Sequence, residues 1–362
     1  MLYFIYLIII LSGLFRKCNK DYDLIIIVLI CIMVAFGTNG PDYLNYEEVY
    51  NYVKTGVYYT STGKGWFALC FLGNAFNLSF VQFKVLVVAG GLFLIRSTIK
   101  RYSHKGSAVW GLYLIYPALL DFVQFRFFLA NAIIIYAVKF LLRHDSKGKF
   151  LYALFVICAS LVHSSMSVYL ILFVIPKLGT GFKKYFPYII CFLTIVIYIG
   201  RSKLPEIAIL FGFNLNRISE YFEGETISLV GALFCFLIYL CNYILIKKLE
   251  ESLRKVSNKN VLKKDFDYID FMKNANLAIF LTFPLVLFDA DFMRIQRTLW
   301  VLNFIAFTIP MNYGANFIKI LKVNFKSKYI YLGYTIVANI AFISANSFNV
   351  VASFLSFSNW NI

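Results

Sequence analysis

The 362 residues could form two soluble domains, but 60% of them are hydrophobic and only 15% are charged, against roughly 45–50% apolar residues in soluble domains. A net charge of +17 would suggest nucleic acid in a soluble protein. Here Lys and Arg sit in short stretches between apolar runs, where they set topology, so nucleic acid is excluded as a partner. The composition predicts an all-α, polytopic integral membrane protein with one membrane-embedded domain over 1–362. The 39 Phe and 26 Tyr suit lipid-facing surfaces and interfacial belts.

In chain order, the first apolar run, 1–15, lacks a basic start and ends in Arg16 and Lys17 rather than at a small-residue cleavage site. It predicts a retained span, not a removed signal peptide. Further spans are predicted at 24–37, 81–98, 107–122, 126–142, 150–163, 165–176, 186–200, 228–246, 275–289, 298–313 and 329–345. Several fall short of the ~20 residues of a straight span, which suggests a cleft cut into one membrane face.

The apolar segment 65–80 decides the topology. If it lies along the outer surface as a juxtamembrane helix, 26 of the 35 Lys and Arg residues fall on inner loops. If it crosses, most of them move outside, against the positive-inside rule. The first arrangement gives twelve spans with both termini outside, outer loops at 38–80 and 201–227, and a basic cytoplasmic loop at 247–273. That loop is read as an anchor to anionic membrane lipid.

With this topology, a few polar residues stand at the outer ends of apolar spans, where a charge needs a partner or a cavity. Asp42 follows a Gly-Pro turn and shares a helical face with Tyr46 and Tyr50. It is a candidate general base on a sugar hydroxyl, or else a helix N-cap. Arg126, with Gln124 and Asp121 just before it, can clamp a diphosphate, or pair with Asp121. His163, followed by Ser164, Ser165 and Ser167, can bind phosphate or transfer a proton, or simply pack between helices. Arg294 and Arg297 share a helical face behind Asp289 and Asp291; they suit a diphosphate, or form a salt-bridged helix end. Arg217 and Tyr221, spaced i, i+4, are a candidate sugar-binding pair within a loop. Together these residues point to a lipid-linked diphosphate carrying a glycan: cations for the diphosphate, tyrosines and carboxylates for the sugars. The seven Cys form no CxxC motif, no metal-ligand set is evident, and no cofactor is expected.

On the same residues the chain resembles the EpsG-like, Wzy-type bacterial polysaccharide polymerases. The matching pieces are Asp42-Tyr43-x-x-Tyr46, the glycine-led stretch from Gly65 to Phe80, Arg126-x-x-x-Ala130, His163-Ser164-Ser165, Arg217-x-x-x-Tyr221, and the late helix with Arg294 and Arg297. The architecture is similar to that of membrane glycosyltransferases of the C superfamily. Two departures stand out: Gly63-Lys64-Gly65 replaces a frequent Glu-Pro pair, and Phe127 stands where Gln is common. The resemblance implies a glycosyltransferase in the bacterial cytoplasmic membrane that joins undecaprenyl-diphosphate-linked repeat units, making exopolysaccharide, capsule or O-antigen on the outer face. It implies a flippase and a chain-length regulator as partners. Asp42, or failing that His163, would be the base; the arginines would bind the leaving diphosphate. The alternatives are a lipid-linked glycan transporter and an acyltransferase acting on surface glycans.

Overall fold

A computed structural model describes residues 2–15, 22–37, 41–56, 63–173, 180–200, 203, 206, 227–255, 261–287, 292–313, 317–320 and 323–342. The chain folds as a helical bundle. Its helices are α1 (Leu2–Phe15), α2 (Tyr22–Phe36), α3 (Pro41–Val53), α4 (Lys64–Ala75), α5 (Phe80–Tyr102), α6 (Gly106–Ile115), α7 (Ala118–Val123), α8 (Phe125–Leu141), α9 (Ser146–Val162), α10 (Thr180–Gly200), α11 (Leu229–Lys255), α12 (Lys263–Phe280), α13 (Phe283–Val286), α14 (Met293–Asn312) and α15 (Ser327–Phe342). A 3-10 segment, Ser164–Phe173, follows α9. The fold is all-α as expected, with one short antiparallel hairpin, β1 (Phe317–Ile320) and β2 (Val323–Lys326), among the described residues.

Among the described residues, two helices, Phe80–Tyr102 and Leu229–Lys255, are long and apolar enough to cross a membrane, and six shorter helices are apolar over 10–17 residues. The helices follow the predicted apolar runs, with two corrections. The run 107–122 is divided into α6 and α7 by a turn at Tyr116 and Pro117, because proline cannot continue the hydrogen-bond ladder. The segment 247–273 is mostly helix: α11 runs on to Lys255 and α12 starts at Lys263. Its charges form side-chain pairs along those helices, with Lys273 bridging Glu250 and Asp270 at 2.7 and 2.8 Å.

The outward faces are apolar, as on Phe93, Phe192, Ile195 and Leu233, all exposed; this is the surface a membrane protein offers to lipid. Inside, polar side chains join helices. Asn303 of α14 donates to Asn242 of α11 and Asn276 of α12, both at 3.1 Å, and Asn276 donates back to Asn303 at 2.8 Å. In an apolar surround, reciprocal amide pairs of this kind hold helices in register.

Helix α5 spans about 35 Å at 1.5 Å per residue and separates two polar ends. At one end, Lys84 donates to the Gly37 carbonyl at 2.6 Å. At the other, Arg96 pairs with Asp23, while His104 and Tyr313 both reach Asp265, at 2.9 and 2.7 Å. Helix α4 starts and finishes at the Lys84 end. Gly63, just before it, lies against the Leu161 and Val162 carbonyls, and Asn74, near its close, donates to the Tyr50 carbonyl at 2.9 Å. It therefore does not cross the bundle. The predicted stretch 65–80 resolves into α4 and a turn, and Ser79 caps α5 through a reciprocal bond with Gln82.

Candidate functional site

The site is built at the Lys84 end, from the first turns of helices that enter the bundle there. Helix α3 starts at Pro41, a residue pre-set for the first helical position, so Asp42 lies within the first turn and is not the N-cap. Tyr43, Tyr46 and Tyr50 then face neighbouring helices. Tyr43 packs edge-on against Phe80, ring centroids 5.1 Å apart, and the Lys84 ammonium lies 4.9 Å from its ring centre. Tyr50 is buried, stacked on Phe83, and donates to the Leu78 carbonyl at 2.8 Å. Tyr46, one turn after Asp42, packs edge-on against Phe125 at 4.6 Å and Trp66 at 6.1 Å.

Tyr46 is the hub. Burial pushes its phenol up to about 12, and the Asp42 carboxylate pushes in the same direction. The guanidiniums of Arg126, Arg294 and Arg297 pull it down. One phenol thus lies within electrostatic reach of the candidate base and of three candidate diphosphate ligands, which come from three distant stretches of chain.

Arg126, half-buried at the start of α8, donates from Nε to the Val162 carbonyl at 2.9 Å. Val162 ends α9, so this bond ties Arg126 to the residue before His163. The His163 Nδ1 lies 2.8 Å from the Ser165 hydroxyl, and its ring meets the edge of Phe127 at 5.2 Å.

Arg297 is only 4% exposed. Its Nε lies 3.2 Å from Asp121, and its Nη2 donates to Gln124 at 2.8 Å. Its guanidinium covers the Phe127 ring at 4.5 Å. Asp121 thus pairs with Arg297, not with its sequence neighbour Arg126. Of the two arginines, Arg297 is buried with a counter-ion, and Arg294 is half-buried. Asp289, Asp291, Arg217 and Tyr221 lie outside the described residues.

The Gly63-Lys64-Gly65 departure has a steric reason. A Cβ on Gly63 would meet the Leu161 carbonyl at 2.5 Å and Arg126 Nη2 at 3.3 Å; one on Gly65 would meet Leu161 at 2.9 Å. Only glycine lets the start of α4 approach the end of α9 this closely. Gly63→Ala should therefore push α4 outward and disturb Arg126. The expected result is a loss of roughly 1–3 kcal/mol in stability, read as a lowered Tm in detergent; an unchanged Tm would show that the contact relaxes freely. Trp66 carries no signal in the sequence. Phe127 carries one, as an aromatic in a position where the resembled family favours Gln, and Asp121 carries one only as a possible partner of Arg126.

The sequence profile described as the EpsG family matches residues 21–359. No curated protein and no solved structure matches the chain.

Proposed function

The chain belongs to the EpsG family, and on that premise we propose that it is a polysaccharide polymerase of the Wzy type, joining undecaprenyl-diphosphate-linked repeat units. The observation that carries this reading is the family match over residues 21–359, joined at one end of the bundle by Arg297 held against Asp121 and Gln124 over the Phe127 ring, with Arg126 and His163 beside it at the close of α9. The acceptor hydroxyl attacks the anomeric carbon of the donor, whose growing chain is linked to lipid diphosphate. As the new glycosidic bond forms, the bond from the anomeric carbon to the diphosphate breaks. Undecaprenyl diphosphate leaves with the electron pair, stabilised by guanidinium donors, and the acceptor proton passes to Asp42. Tyr43, Tyr46 and Gln124, with Arg217 and Tyr221, contact the sugars. His163 is the alternative base.

The protein is read as a multi-pass resident of the bacterial cytoplasmic membrane with twelve crossings. The end that carries Asp42 faces outside, and the end rich in Lys and Arg faces the cytoplasm. A flippase would supply the substrate, and a chain-length regulator would set the product.

The decisive experiment reconstitutes the purified protein in vesicles with a lipid-linked repeat unit. A ladder of lengthened chains with release of undecaprenyl diphosphate supports polymerisation; transfer of the intact unit across the bilayer without lengthening would assign a transporter instead. Orientation is tested separately by single cysteines at two exposed positions, Thr55→Cys and Lys264→Cys. The first should react with an impermeant thiol reagent from outside intact cells, and the second only after the cytoplasm is opened. Reaction of both from one side would overturn the assigned topology.

A further inference from the structure

Asp121 is fully buried, at 0% exposure, and accepts from the Tyr113 hydroxyl at 3.1 Å on one oxygen while its other oxygen faces Arg297 at 3.2 Å. Tyr113 comes from α6, Asp121 from α7 and Arg297 from α14, so three separate helices meet at this carboxylate. Through the guanidinium the contact continues to Gln124, and over the Phe127 ring to the edge of His163. A buried ion pair is a poor way to gain stability alone, because apolar residues of equal volume serve as well or better. What such a pair does supply is a fixed guanidinium plane and a defined net charge. Arg297 is one of the three cations felt at Tyr46, and Asp121 is its direct counter-charge.

We propose that Asp121 is a positioning residue: acting through Arg297, it fixes the guanidinium over Phe127 and against Gln124 and offsets its charge, which sets how tightly the site holds a prenyl diphosphate. This inference rests on the reading that Arg297 acts on the diphosphate; its turnover readout rests further on polymerisation. With the counter-charge in place, the site holds the diphosphate firmly enough to stabilise its departure and loosely enough to release the lipid product. Without it, one further positive charge acts on the bound anion while the guanidinium is no longer held by an ion pair.

The test uses the full chain in detergent with farnesyl diphosphate as the binding probe, alongside chain growth in vesicles. Asp121→Asn should bind the probe about 3- to 30-fold more tightly, the effect of one uncompensated charge near the ligand, while kcat falls. The double variant Asp121→Asn with Arg297→Gln removes the guanidinium as well and should abolish the gain, taking affinity to or below the wild-type value, with kcat still low. Asp121→Glu keeps the charge and should leave affinity close to wild type with reduced turnover; it decides the matter if Asp121→Asn does not fold. A purely structural role predicts the opposite for Asp121→Asn, weaker or unchanged binding, and that outcome overturns the proposal, as does wild-type protein that binds no probe. Wild-type protein that binds the probe yet lengthens no chains would sink the polymerase reading while leaving the affinity shift to judge Asp121.

Discussion

Asp42→Asn should give normally expressed, folded protein with almost no polymer. The substitution keeps the shape of the side chain but cannot take up the acceptor proton, and loss of a general base typically costs ~100–10,000-fold in rate. Its cost to the fold is small. Asp42 lies in the first turn of α3, where removing a negative charge forfeits about 0.3–1 kcal/mol of interaction with the helix dipole. Stability and activity therefore separate: Tm barely moves while turnover collapses. His163→Ala, made in parallel, identifies the base, because only one of the two variants should show the larger kcat loss with binding of farnesyl diphosphate retained. If Asp42→Asn turns over at the wild-type rate, Asp42 is a dipole partner and the base role passes to His163.

Arg126→Ala should be the second large loss. Arg126 is half-buried, anchored by Nε to the Val162 carbonyl, and its charge reaches Tyr46. Removing one preorganised donor from a developing anion costs about 100–1,000-fold in kcat. Lipid-linked single repeats should accumulate in cells as long polymer disappears. Arg126→Lys keeps the charge but loses the planar fork and the Nε donor, so it should recover only part of the activity, with shortened chains on a gel. Wild-type chain lengths in both variants would remove Arg126 from the site.

Much of the architecture could be read from local pattern. Apolar runs located α1, α2, α5, α8, α9 and α14 to within a few residues, since a helix that faces lipid or a bundle core must be apolar over most of its length. Some of the residues that the basic stretches assign to one side also share one end of the bundle. Arg96 and Lys100 meet Asp23, and His104 meets Asp265, all at the end opposite Lys84 and Gly37. The charge count places 65–80 along one face, and both ends of α4 pack near the Lys84 end. Interruptions were harder to see: the break between α6 and α7 and the 3-10 geometry of Ser164–Phe173 depend on backbone choices that an apolar average does not encode.

At the site, sequence by itself determined which residue types stand near the ends of apolar runs: a carboxylate, a histidine, several arginines and tyrosines. Those are positional facts, set by the cost of leaving such groups in an apolar medium. Pairing was decided only by tertiary structure. Asp121 lies five residues before Arg126, close enough along the chain to suggest a pair, yet it meets Arg297 of α14. The reason is geometric: the turn at Gln124 separates α7 from α8, and Arg126 leaves in the direction of Val162 while α14 brings Arg297 over Phe127. A charge in a low-dielectric interior takes whichever partner the packing brings within about 3 Å, because the attraction strengthens steeply as distance and screening fall, and packing is a property of all the helices together.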